Sequence, residues 1–113
     1  MDRVREYRQI IKRILDNYAE LSETQNKSGV ETVLVFDDER GNYLWLRVGW
    51  AGDSRVRNLT VYVRLRNGKF WIEEDWTEQG IATDLLNAGV PNQDIVLAFQ
   101  PPELRALTEF ATA

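Results

Sequence analysis

The chain has 113 residues, 43% of them hydrophobic and 28% charged, with a net charge of −4. That is room for one domain, residues 1–113, with a modest core. It contains no cysteine and no histidine, which excludes disulfides, thiol catalysis, Ser-His and Cys-His pairs and nearly all zinc chemistry.

The charge is unevenly placed. Residues 1–72 carry 13 basic and 10 acidic side chains, and residues 73–113 carry one basic and eight acidic. A net acidic chain argues against broad DNA affinity, while the basic half leaves a local patch open. No apolar run approaches the roughly 20 residues a membrane helix needs. The charged, helix-periodic start lacks the short apolar core of a signal peptide. A cytoplasmic protein is therefore expected, away from the membrane.

Val4, Tyr7, Ile11, Ile14, Tyr18 and Leu21 recur every three or four residues. The spacing predicts one helix from about Arg3 to Leu21, capped by Asp2 and packed on a sheet. Ser22–Gly29 is polar and reads as a loop. Four strands follow: Val30–Phe36, Tyr43–Trp50, Val56–Arg66 and Lys69–Glu74. Asn67-Gly68 is a type I′ hairpin signal, because both turn positions need positive φ. A two-residue turn fixes the register. Arg66 then faces Lys69, Leu65 faces Phe70, Arg64 faces Trp71, Val63 faces Ile72 and Tyr62 faces Glu73. Gly49 reads as a bulge, Gly52 and Gly68 as turns.

A helix over about Glu78–Asn87 comes next, with Thr77 as its N-cap and Trp76 and Ile81 as a hydrophobic staple. Gly89 and Pro91 stop it. Asn92–Phe99 reads as a short helix, and Pro102 opens a last turn or two. The fold class is α+β: an N-terminal helix, a four-stranded antiparallel sheet built of hairpins, then two to three short helices.

Glu73, Glu74, Asp75 and Glu78 form the densest acidic cluster. Such clusters hold metals only when their oxygens converge. Strand alternation sends these apart, with Glu73 outward beside Arg64 and Glu78 at a helix start, so structural tasks are the favoured reading. An Asp…Glu-x-Lys nuclease would need a strand lysine two residues after a glutamate, and none is present. There is no phosphate-binding glycine loop. No catalytic residue, metal or cofactor is expected.

The outer sheet face carries more. Tyr43, Trp45 and Arg47 share one face of the second strand; Tyr62, Arg64, Arg66 and Trp71 share one face of the hairpin. If the two faces coincide, arginines alternate with large aromatics there, and Arg64 over Trp71 forms a cation–π contact. Helices could cover such a face. The next reading is a self-association or partner surface, as Trp, Tyr and Arg dominate hot spots, and the last a platform for stacking nucleic-acid bases.

In order along the chain, "YRQII" (Tyr7–Ile11), "YLWLRVGW" (Tyr43–Trp50), "NGKFWIEEDWTEQGIA" (Asn67–Ala82), "AGVPNQDIVLAFQPPELR" (Ala88–Arg105) and "TEFATA" (Thr108–Ala113) resemble the XisI family, the fdxN-element excision controlling factors of cyanobacteria. The resemblance covers nearly the whole chain. Within these motifs Gly49, Trp50, Gly68, Lys69, Asp75, Thr77, Glu78, Gly80, Gly89 and Pro91 read as structural. The resemblance implies a non-enzymatic accessory role in programmed excision of a DNA element, beside a recombinase and a XisH-type partner. A homo-dimer or higher oligomer is expected, with DNA engaged indirectly. The alternative is direct nucleic-acid binding through the aromatic–arginine face and the basic first helix. The chain departs from the family pattern at Tyr62 and Arg64, where many members have His-x-Asp, and at Gln100, where many have histidine.

Overall fold

A computed structural model of the chain describes residues 3–25 and 29–113. The first helix, α1, spans Arg3–Gln25, a turn longer than its apolar pattern predicts. The expected cap, Asp2, and residues 26–28 of the expected loop lie outside the described residues. The buried line of α1 is Tyr7, Ile11 and Leu15, with Ile10, Ile14 and Tyr18 packed beside it. Four-residue steps drift slowly around a 3.6-residue helix, so Leu15 enters the core and Leu21, at the end of the predicted stripe, is exposed.

Four antiparallel strands follow: β1 (Gly29–Asp37), β2 (Asn42–Ala51), β3 (Ser54–Arg66) and β4 (Lys69–Asp75). Asn67 and Gly68 both have positive φ, 54° and 74°, as a type I′ turn requires. Four of the five expected pairs across that hairpin are present, but Tyr62 faces Glu74 and Glu73 is left as an extra residue. A second bulge leaves Thr60 extra opposite β2. Gly49 is not a bulge, since Val30, Gly49 and Val56 pair in regular register. Glycine is needed there because a Cβ would lie 2.0 Å from the Gly29 carbonyl oxygen, at φ +151°.

After β4 come α2 (Ile81–Asn87), a single 3₁₀ turn (Asn92–Asp94), β5 (Ile95–Val96) and α3 (Pro102–Arg105). The expected helix over Asn92–Phe99 is thus a turn and a fifth strand. β5 pairs with β4 in parallel, Phe70 with Ile95 and Trp71 with Val96, so the sheet is mixed, in order β1-β2-β3-β4-β5. Hairpin-length links forbid parallel neighbours, but the β4–β5 link contains a helix and permits one. Both α1 and α2 pack on one face of the sheet. Tyr43, Trp45, Val61, Val63, Phe70 and Ile72 meet Tyr7, Ile11, Leu15, Ile81 and Leu85 there in one core cluster.

Candidate functional site

The acidic run beside β4 is pulled apart by local geometry. Glu73, the bulged residue, lies 3.7 Å from Arg64 Nη1. Glu74 accepts from the Trp76 indole N–H at 2.9 Å. Asp75 organises the turn into α2. Its Oδ1 accepts from the Thr77 N–H at 3.0 Å and from the Thr77 hydroxyl at 2.6 Å, and its Oδ2 accepts from the Ile81 N–H at 2.7 Å. Thr77 is therefore not the cap of a helix starting at Glu78. Its hydroxyl accepts from the Gly80 N–H, Glu78 is exposed in the turn, and the helix begins at Ile81. Nor is Trp76 half of a staple, being 74% exposed. Among the described residues no group of three or more Asp, Glu, His or Cys is placed to hold a metal ion.

The two aromatic sets identified in the sequence lie on opposite faces. Trp45 pairs with Val61 and Tyr43 with Val63, both core residues, so Tyr43 and Trp45 point under α1. Tyr18 stacks on Trp45 with ring centroids 5.3 Å apart. Arg47, two residues on, is exposed beyond the core. Tyr62, Arg64, Arg66 and Trp71 keep the outer face. The Tyr62 hydroxyl donates to Asn42 Oδ1 at 2.8 Å. Trp71 is gripped by cations, but not by Arg64: the Arg66 and Arg105 guanidinium carbons lie 5.0 and 5.8 Å from its ring centroid. Its indole N–H donates to the Arg66 carbonyl at 3.1 Å.

Arg105 is the residue that sequence reasoning missed. It reaches back from α3 to donate to the carbonyls of Gln100 and Ala98 at 3.0 and 3.2 Å. Those bonds hold together the C-terminal strap, residues 97–113, and the contact of Arg105 with Trp71 ties that strap to β4. The strap exposes Phe99, Leu104 and Leu107, the last to 83%. Large apolar side chains open to water beside a Trp–Arg clasp have the composition of a contact surface. Of the other motif residues, Trp50 is exposed and lies under the Arg55 guanidinium, 5.5 Å from its ring centroid. Gly68 and Lys69 make and leave the hairpin turn, while Gly80, Gly89 and Pro91 bracket α2.

On the helical side three core tyrosines hold rim aspartates. Tyr7 donates to Asp94, Tyr18 to Asp84 and Tyr43 to Asp38, at 2.5, 2.5 and 2.8 Å. Burial first, then the carboxylate partner, pushes the Tyr7 phenol up to about 12 and shifts Tyr18 and Tyr43 in the same direction. Lys12, 2.7 Å from Asp38, lowers that carboxyl's pKa together with Tyr43. A groove of about 470 Å³ runs between α1 and α2, with Ile10, Ile14 and Leu21 on one side and Gln79 and Asp84 on the other. These contacts are those of a scaffold: each phenol is spent on a structural partner.

Residues 1–112 match the XisI protein family. The crystal structure of the fdxN element excision controlling factor XisI from Anabaena variabilis is similar at 43% identity and TM-score 0.85, covering 99% of this chain and 100% of that one. A XisI-like protein from the same organism is 34% identical with TM-score 0.89, covering 97% of this chain and 99% of its own. No curated protein matches. With its helix, mixed sheet and strap matched along nearly their whole length, this chain belongs to the XisI family.

Proposed function

We propose that this chain is a non-enzymatic controlling factor for excision of a DNA element, acting through protein contacts with a XisH-type partner. The observation that carries the reading is the whole-length match to the XisI family, including a relative named as an excision controlling factor. The geometry supports contact over chemistry. The acidic run is used up in a bulge, an indole hydrogen bond and a helix start. Beside the half-buried Trp71 the strap leaves the large apolar side chains of Phe99, Leu104 and Leu107 exposed. We assign the partner contact to Trp71 and the neighbouring strap residues Phe99, Leu104 and Leu107.

The test is co-purification of this chain with a tagged XisH-type protein. Trp71→Ala and Leu107→Glu should each abolish retention while the variants stay folded. Retention unaffected by both would remove the assigned surface. Direct, steeply salt-dependent binding of duplex DNA at about 50 mM salt, without any partner retention, would favour nucleic-acid binding instead.

A further inference from the structure

The outer sheet face is self-complementary in charge, and we propose that a second copy of this chain docks on it about a two-fold axis running along β2.

The register places the residues. Val33, Leu46 and Leu59 stand in one row across β1, β2 and β3; Val35 and Leu44 stand in the row beside them, and Val48 continues the column on the other side. None of these side chains belongs to the core cluster or packs against it, and in β2 they alternate with Tyr43, Trp45 and Arg47, so they point away from α1. Both longer helices pack on the opposite face. The band is left half-buried by its own neighbours, with Val35 exposed. An apolar sheet face without a second layer is unusual, because sheets bury such faces against another element.

Charge decides what the second layer is. In the row through Val48, Glu31 stands on β1 and Arg57 on β3. Both are exposed, and neither takes part in an ion pair among the described residues. Two strand spacings, about 9.5 Å, hold them apart within one sheet. Three rows along, Asp37 on β1 and Arg64 on β3 flank Asn42 in the same sense, though each also has a partner in its own chain: Asp37 accepts from the Arg40 N–H and the Asn42 amide, and Arg64 lies 3.7 Å from Glu73. The face therefore has an acidic column, an apolar column and a basic column, side by side.

Two in-plane two-fold axes stack this face on itself with its strands aligned, one across the strands and one along them. An axis across the strands sets acid over acid and arginine over arginine. An axis along β2 sets Glu31 over the second copy's Arg57 and Asp37 over its Arg64, and repeats both contacts by symmetry. Aligned sheet packing, with strands within about 30° of each other, is an ordinary arrangement for two apolar faces. Only the second axis sets Glu31 and Arg57, which have no ion pair of their own among the described residues, against opposite charge, and a second copy supplies the matching columns in this order.

The experiment is sedimentation equilibrium on the full chain and three variants. The natural chain should dimerise. Glu31→Arg and Arg57→Glu should each weaken the dimer about ten-fold or more at low salt, since each creates like-charge contacts twice. The double variant Glu31→Arg/Arg57→Glu should recover affinity to within about three-fold of the original. Both positions are exposed, so thermal melts should not move by more than about a degree or two. A monomer at ~100 µM, or a dimer indifferent to both single reversals, overturns the proposal, as does a double variant no tighter than the singles.

Discussion

The Tyr18 ring lies nearly parallel on the Trp45 indole, centroids 5.3 Å apart with planes tilted by 27°. This is the contact that seats the second half of α1 on β2. Trp45 is almost wholly buried, yet among the described residues its indole N–H has no hydrogen-bond partner. Volume, not polarity, is what the position uses. Trp45→Ala should cost about 3–5 kcal/mol. Trp45→Phe gives up area but also removes an unsatisfied donor, and should cost about half as much or less. Urea unfolding followed by circular dichroism measures both. An alanine variant as stable as the phenylalanine one would show that the stack contributes nothing.

Asp75 is the hinge between sheet and helix. One carboxylate binds three donors, two from Thr77 and one from the Ile81 N–H. Asp75→Ala should cost about 1–2 kcal/mol, the range of a lost helix-start acceptor. Asp75→Asn should fall between, because an amide has one acceptor oxygen where the carboxylate has two. If the acids beside it served a metal instead, Mg²⁺ or Mn²⁺ would raise the melting temperature of the natural protein. The expectation is no change on adding either ion.

How far the sequence determines all this can be seen in β2. Its alternation is plain, but both parities carry large apolar side chains: Tyr43 and Trp45 on one, Leu44, Leu46 and Val48 on the other. Local pattern cannot say which parity faces α1, and the outer-face reading of Tyr43 and Trp45 is reversed for that reason. The β3–β4 hairpin was legible because Asn67-Gly68 fixes its turn, until the Glu73 bulge ended the register. β5 is two residues long, too short for any period. Arg105 finds Trp71 only through the crossover and the strap, a contact with no local signal. The tyrosine–aspartate pairs are likewise distant in sequence, though a tyrosine in an apolar stripe does call for a polar partner at its tip.

Those tyrosines set an alkaline limit. Tyr7 is buried and donates to Asp94, which raises its pKa from 10.0 to about 12. The folded protein holds this proton more tightly than the unfolded chain does. The resulting stability is fully present below pH 10 and is lost as pH rises through about 12. Tyr18 and Tyr43 are shifted in the same direction and add to the decline. Tyr7→Phe should lose about 1–2 kcal/mol at neutral pH, because Asp94 forfeits a donor. In return its stability should fall less steeply across the alkaline window. Urea midpoints taken from about pH 8 upward supply the comparison, and parallel curves for the two proteins would refute the assignment.

Arg105 fastens the strap by geometry that lysine cannot copy. One guanidinium donates to the carbonyls of Gln100 and Ala98 while its carbon lies 5.8 Å from the Trp71 ring centroid. A planar fork can serve two carbonyls and an aromatic face together; an ammonium is a single point charge on a flexible stem. Arg105→Ala should therefore cost about 1–3 kcal/mol, and Arg105→Lys should recover little of it. The loss should be local. Amide hydrogen exchange should quicken at Phe99, whose N–H donates to the Ile72 carbonyl at 3.1 Å, and at Ala111, whose N–H donates to Ile95 at 2.9 Å. Protection in the β2–β3 ladder should hold, since no strap residue pairs there. Because Phe99, Leu104 and Leu107 ride on the same strap, the variant should also weaken retention of the proposed XisH-type partner without altering any of their side chains. Exchange that quickens evenly across the whole sheet would mean that Arg105 supports the global fold, not the strap.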